Sequence, residues 1–126
     1  MPGTNQFGRD RALPCLRNSR MNIREFIGFG GVVLTADVYG NEDHPCVVLL
    51  PSLTQTRKVW ESAAKALAQA GRYVISLDLR GHGGSDSPKD CNYSLEAFMG
   101  DLVAVLSQLE SRPVLVGSNF GGWIGL

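Results

Sequence analysis

The stretch of sequence that decides the fold is Pro113-Val114-Leu115-Val116-Gly117-Ser118-Asn119-Phe120-Gly121-Gly122. Residues 113–116 form a short apolar run that contains two β-branched valines, which predicts a β-strand. The strand enters a G-x-x-x-G spacing made by Gly117 and Gly121, and Gly122 follows. Small residues at those places let a strand and the next helix pass close together at a sharp turn. The pattern predicts a turn that presents its middle residue, Asn119, at the end of the strand.

Apolar runs upstream of this turn predict four more strands. Ile23–Gly28 and Val32–Val38 hold alternating or clustered apolar residues with glycines between them, which indicates two strands joined by a turn. Cys46–Leu50 and Tyr73–Leu79 are short apolar runs of the kind that is buried on both faces of a parallel sheet.

Two helices are predicted between these strands. The alanine-rich stretch from about Val59 to Ala70 stops before Gly71, which stands where a C-cap glycine belongs. The next helix has Ser94 as its N-cap, with Tyr93 and Phe98 at the two positions of a hydrophobic staple. Its predicted apolar stripe consists of Leu95, Phe98, Met99, Leu102, Leu106 and Leu109.

The order of these elements indicates an α/β architecture. An opening hairpin followed by alternating strands and helices is typical of a mostly parallel sheet with helices on both faces. We therefore expect residues 22–126 to form a three-layer α/β domain with an amino-terminal β-hairpin. Only a few residues follow the glycine turn, so we expect a chain truncated after strand 113–116. That strand would then be an exposed edge through which the chain self-associates.

Charge and composition narrow the classes of partner. The 12 basic and 12 acidic residues cancel, so no overall field favours nucleic acid or acidic lipid. The apolar runs are too short to span a membrane. Cys15, Cys46 and Cys91 are odd in number and scattered, which favours free thiols in the cytoplasm over a disulfide framework or a metal site. A small-molecule substrate or ligand is the partner that we expect.

Residues 1–21 differ in composition from the rest of the chain. They show no hydrophobic period, and Asp10 is their only acid. Their basic residues are Arg9, Arg11, Arg17 and Arg20. We expect a disordered basic tail, and Met21 is an alternative start of the chain.

A strand, a G-x-x-x-G spacing and a helix are the context of a nucleophile elbow, whose middle residue attacks the substrate. Here that residue is Asn119, and an amide is not a useful nucleophile. Ser118 stands one place early, because its use would require glycines where Val116 and Phe120 stand. Asparagine tolerates the left-handed backbone region, so the turn can persist without the chemistry.

Two other interpretations of the turn stay open. One is a glycine-rich connection from strand to helix with no catalytic role. The other is a phosphate-binding turn in a nucleotide-binding α/β domain, although the G-x-G-x-x-G spacing of such domains is absent.

The segment from Val47 to Gly125 resembles the α/β-hydrolase superfamily, especially its serine hydrolases and cofactor-free haloperoxidase-like members. One piece, from Asp78 to Asp86, is similar to the family's D-x-R-G-x-G-x-S segment. The other pieces, in chain order, are Val48-Leu49-Leu50 with the loop Pro51 to Trp60, Tyr93-Ser94-Leu95 with Asp101-Leu102, Val114-Leu115-Val116-Gly117, and Gly121-Gly122. The resemblance implies a partial α/β-hydrolase fold, truncated after the strand that enters the elbow.

The resemblance also implies a site. The family commonly has His-Gly after its third strand, where Pro51-Ser52 stand here. By position, the oxyanion hole would use the backbone N–H groups of Leu53 and Phe120. The family's triad acid and histidine follow the nucleophile in the chain. The two histidines here, His44 and His82, precede it, and we expect a surface turn for the first and a loop position for the second.

The implied ancestral activity is hydrolysis of an ester or similar bond, with no metal or organic cofactor. With Asn119 at the nucleophile position, we expect this chain alone to be inactive. A relative that only binds a ligand or partner is the alternative. A nucleotide-binding α/β domain is a second alternative.

Five further side chains have predicted roles outside the chemistry. Asp78 and Arg80 are expected to shape their loop through hydrogen bonds, and Asp101 is expected to face solvent. Trp60 is expected to pack in the core. Trp123 is expected to pack in the core or line the pocket.

Overall fold

The computed structural model describes residues 21–118. The strands are β1 (Met21–Ile27), β2 (Val33–Tyr39), β3 (Cys46–Leu50), β4 (Tyr73–Leu77) and β5 (Val114–Gly117). The α-helices are α1 (Glu61–Gln69) and α2 (Leu95–Ser107), and short 3₁₀ helices span Phe29–Gly31 and Arg57–Trp60. The predicted strands and helices are therefore confirmed within the described range, and the predicted tail up to residue 20 lies outside it.

The strands form a five-stranded sheet in the order β1-β2-β4-β3-β5. Strand β2 is antiparallel to both β1 and β4, whereas β3 is parallel to both β4 and β5. The hairpin predicted for the amino-terminal region is confirmed, with a register from Met21↔Tyr39 to Ile27↔Val33. The expected α/β sheet with an amino-terminal β-hairpin is confirmed, and within residues 21–118 its parallel part consists of β3, β4 and β5.

The two crossover helices lie on opposite faces of the sheet. The connection β3–α1–β4 and the connection β4–α2–β5 run in opposite directions across the sheet, so right-handed crossovers place their helices on opposite faces. Each helix covers its own apolar cluster. The cluster on the α2 face includes Phe26, Leu34, Val48, Ile75, Phe98 and Leu102. The cluster on the α1 face includes Tyr39, Val47, Leu49, Ala64, Ala68 and Val74.

Local signals set the helix ends as predicted. Gly71, with φ +90°, follows α1, and its N–H and that of Arg72 donate to the Ala68 and Leu67 carbonyls. This is the Schellman pattern. At the start of α2, the Ser94 hydroxyl accepts from the Ala97 N–H at 3.2 Å.

The buried face of α2 differs from the prediction. Leu95 and Met99 are 37% and 45% exposed. The expectation that Asp101 faces solvent was wrong, because its carboxylate is buried against the guanidinium of Arg80. Asp101 and Val105 are accordingly buried together with Leu102. Within residues 21–118, no helix is both long and apolar enough to cross a membrane.

Candidate functional site

The carboxyl ends of β3, β4 and β5 meet at one edge of the sheet. Leu50 and Gly117, which end β3 and β5, are register partners, and the Ser118 N–H donates to the Leu50 carbonyl at 3.2 Å. Strand β3 has β4 as its neighbour on one side and β5 as its neighbour on the other. The connection that leaves β3 leads to β4, and the connection that leaves β4 crosses to β5, so the direction of the connections reverses here. Ligands of open α/β sheets bind at such a switch point, so the loops that leave these three strands are the candidate site.

The loop after β3 is a tight turn. The Gln55 N–H donates to the Ser52 carbonyl at 3.0 Å, which places Leu53 and Thr54 at the central positions. The Ser52 hydroxyl donates to Gln55 Oε1 at 2.8 Å. Within residues 21–118, the Leu53 N–H has no hydrogen-bond acceptor. A backbone donor is therefore left available at the edge where β3 meets β5.

The structure brings Leu53 and Gly117 to the same edge of the sheet. Leu53 lies three residues beyond Leu50, and Gly117 is the register partner of Leu50. The other predicted site residues, Asn119, Phe120, Gly121 and Gly122, lie outside the described residues, as does Trp123.

A buried ion cluster that the sequence analysis missed holds the loop after β3 against the sheet. Arg57 Nε donates to Asp37 Oδ1 at 2.8 Å, and Arg57 Nη1 donates to Asp78 Oδ2. Lys58 Nζ reaches the other oxygen of Asp37 at 3.0 Å. Burial alone would lower the pKa of Arg57, but hydrogen bonds to Asp37 and Asp78 outweigh it and raise that pKa. A signal was present in the sequence, since an acid at position 37 of an apolar strand needs a cationic partner.

Asp78 also organises the loop after β4, as predicted. Asp78 Oδ2 accepts from the Gly84 N–H at 2.8 Å, and the Asp78 carbonyl accepts from the Ser85 hydroxyl at 2.8 Å. Gly83 has φ +53°, and a side chain there would overlap the Asp78 carboxylate. His82 belongs to this loop, with Nδ1 2.8 Å from the Arg80 carbonyl oxygen. Its predicted loop position is confirmed.

Arg80 ties this loop to α2. The side chain of Arg80 is 1% exposed, and its Nε and Nη2 donate to the two carboxylate oxygens of Asp101 at 2.7 and 2.8 Å. The remaining donors reach the carbonyls of Phe29 and Asn92. The hydrogen bond with Asp101 raises the pKa of Arg80, against the opposing effect of burial. The predicted loop-shaping role of Arg80 is confirmed.

Other candidate groups lie away from this edge. His44 lies in the turn before β3, at the opposite end of the parallel strands, where its N–H donates to the Asn41 carbonyl at 2.9 Å. Trp60 packs against the α1-face cluster, as predicted. Among residues 21–118, no group of three His, Cys, Asp or Glu side chains could hold a metal ion.

Comparison with known proteins identifies the family. Residues 45–126 match the family model of the alpha/beta hydrolase fold, and they are well over half of the chain. The chain belongs to the α/β-hydrolase family. The sequence resemblance to this family is thereby confirmed.

Relatives of this α/β-hydrolase-family chain include several hydrolases. An sn-1-specific diacylglycerol lipase of Mus musculus is 41% identical over 85 residues, which are 66% of this chain and 27% of the lipase. A bifunctional epoxide hydrolase 2 of Sus scrofa is 36% identical over 80 residues, or 62% of this chain and 14% of that enzyme. The thioesterase domain from the curacin biosynthetic pathway superposes with a TM-score of 0.76 at 29% identity, over 83% of this chain and 38% of that domain. The chain thus spans between 14% and 38% of these proteins.

Proposed function

We propose that this α/β-hydrolase-family chain provides a site for the carbonyl or carboxylate group of a small ester-type molecule. The ancestral chemistry of the site is hydrolysis of an ester or similar bond, and Asn119 leaves binding without turnover. The observation that carries the proposal is the Leu53 N–H at the switch point of the sheet, which has no acceptor among the described residues.

Backbone donors supply the binding half of the proposal. An oxyanion hole is made of N–H groups aimed at the oxygen on which negative charge develops. The Leu53 N–H has no acceptor among residues 21–118, and the Phe120 N–H is the second donor that the elbow pattern supplies. Pro51 and Ser52 support this role, because both are buried and Ser52 closes the turn that exposes the donor.

The side chain of Asn119 argues against hydrolysis by this chain. A carboxamide nitrogen is not a nucleophile that a neighbouring base can activate. Ser118 does not replace it, since its N–H continues the ladder beside Leu50 and it stands one place before the middle of the turn. Ligand binding without bond cleavage follows.

The binding half is tested by titrating ¹⁵N-labelled chain with butyrate, whose carboxylate mimics the charged oxygen. We expect a saturable shift of the Leu53 amide resonance. Leu53→Pro removes the donor at a turn position that proline suits, so it should abolish saturable binding. Leu53→Ala keeps the N–H and should preserve it. An unmoved Leu53 amide in the wild-type chain would overturn the proposed site.

The catalytic half is tested with 4-nitrophenyl butyrate. The chain should release nitrophenol no faster than buffer does. Turnover that disappears on Asn119→Ala or Ser118→Ala would show that one of these side chains is catalytic, and the proposal of binding without cleavage would be wrong.

We also propose that the chain self-associates through β5 and resides in the cytoplasm. Among the strands of residues 21–118, β5 pairs with β3 alone, and Val114 is 59% exposed. Exposed apolar edges recruit further strands. Cys46 and Cys91 are free thiols, which suits a reducing compartment. Sedimentation velocity of the wild type and of Val114→Lys tests the association, since the lysine should shift it toward monomer.

A further inference from the structure

Arg57, the first residue of the 3₁₀ helix Arg57–Trp60, is fixed by hydrogen bonds through both its backbone and its side chain. Its backbone N–H donates to Asp78 Oδ1 at 2.6 Å, and its carbonyl accepts from the Ser76 hydroxyl at 2.9 Å. Its guanidinium bridges Asp37, which lies on β2, and Asp78, which follows β4. Both carboxylates are almost fully buried, and the Arg57 side chain is 12% exposed. One residue is thereby fixed to two strands.

The turn that carries Leu53 depends on this anchor. Within residues 21–118, the hydrogen bonds of residues 51–56 are internal to that segment or lead to Lys58 and Val59. None of these bonds joins the segment to a described strand. The segment therefore meets the sheet through hydrogen bonds only at its two ends, Leu50 in the β3 ladder and Arg57 at the ion cluster.

We propose that Arg57 is a positioning residue that sets where the Leu53 N–H points relative to the end of β5. The inference rests on the proposed function, because it assigns Arg57 to the donor of that site. A short segment with both ends fixed has few conformations, so a shift of the Arg57 end moves the turn.

The chemistry of the cluster favours arginine in particular. Its planar fork can serve two carboxylates at once, whereas the ammonium of a lysine is a point charge on a flexible stem. The neighbouring Lys58 provides a matched control in the chain itself. It pairs with the same Asp37, but its side chain is 53% exposed and makes no bond to Asp78.

The experiment compares Arg57→Lys with Lys58→Met in ¹⁵N-labelled chain. Thermal unfolding reports folding, and the Leu53 amide resonance and its butyrate titration report the turn. We expect Arg57→Lys to remain folded, to shift the Leu53 amide without ligand, and to weaken butyrate binding at least about tenfold. Lys58→Met should change the butyrate affinity by less than about twofold.

Two outcomes would overturn the inference: equal effects of the two variants on Leu53, or an unmoved Leu53 amide in Arg57→Lys. Should Arg57→Lys fail to fold, Asp37→Asn keeps the side-chain shape, weakens one end of the bridge and carries the same expectation. If butyrate fails to bind the wild type, the proposed function fails. The ligand-free Leu53 resonance still decides the role of Arg57.

Discussion

Replacing Asp101 by asparagine should be among the most damaging single changes in the described part of the chain. The Asp101 carboxylate accepts from Arg80 Nε at 2.7 Å, from Arg80 Nη2 at 2.8 Å and from the Phe29 N–H at 2.8 Å. The side-chain amide of the asparagine keeps one acceptor oxygen, but its NH₂ group is a donor that faces the donors of the Arg80 guanidinium. Breaking a buried pair from one side costs about 3–5 kcal/mol, because the other charge stays buried without its partner.

That cost is a large part of the stability of such a domain. About 100 ordered residues correspond to a free energy of unfolding of roughly 5–15 kcal/mol. Each kcal/mol moves the unfolding midpoint by about 4–8 °C in a domain of this size. A loss near 4 kcal/mol should therefore lower the midpoint by roughly 15 °C or more. Urea unfolding followed by circular dichroism measures the same loss as a lower midpoint concentration at constant slope.

Two controls separate the buried pair from general effects on α2. Glu96→Gln removes an exposed charge from the first turn of the same helix and should change the free energy of unfolding far less. The double change Arg80→Met with Asp101→Leu replaces both charges by apolar groups, so it should cost less than Asp101→Asn alone. A loss below about 1 kcal/mol for Asp101→Asn, the typical size for a surface pair, would refute the assigned role of the pair.

Three further outcomes are expected. Gly83→Ala should lower the thermal midpoint well below that of Gly84→Ala, because only Gly83 has a positive φ and a neighbour, Asp78, that a methyl group would overlap; equal midpoints would contradict this. Iodoacetamide should label exposed Cys91 before buried Cys46, as read by peptide mass spectrometry; the reverse order would show that Cys46 is accessible. Burial raises the pKa of Cys46 above its ordinary 9.0, so the folded chain holds a proton that the unfolded chain releases. The stabilisation from this thiol is full below its ordinary pKa and is lost as the pH rises from that value through the raised pKa of the folded chain, and Cys46→Ala should flatten that part of the pH dependence of urea unfolding.

Local signals explain why the elements could be predicted from the sequence. Cys46–Leu50 was predicted with the bounds that the structure gives, because a wholly apolar run ending at proline has few alternatives. Gly71 and Ser94 act through hydrogen bonds to residues within one helical turn, so their roles can be predicted from the neighbouring sequence. Such elements can be predicted without information on their tertiary contacts.

Long-range ion pairs explain what could not be predicted. Asp101 and Arg80 are 21 residues apart, as are Asp78 and Arg57, and no local period connects them. A helical pattern assigns a lone acid to the solvent face, since burying an unpaired charge is costly. The cost is offset here because the fold brings the Arg80 guanidinium to the Asp101 carboxylate. The strand order, with β4 between β2 and β3, is likewise a property of the tertiary fold.

Predicting the candidate site requires both local sequence signals and knowledge of the residue that they place at the centre of the turn. The G-x-x-x-G spacing predicts an elbow from sequence, because backbone geometry demands small residues at fixed intervals, and residues 119–122 of that turn lie outside the described range. In the proposed site, turnover depends on the residue at the middle of this spacing, which is Asn119 here, and asparagine is one of the residues that tolerate the left-handed backbone region. The family match extends over residues 45–126 and includes Asn119, and membership of a fold family does not by itself establish an activity. For this chain, fold and turnover are therefore separate properties, and substitutions at Asn119 and Leu53 test the second.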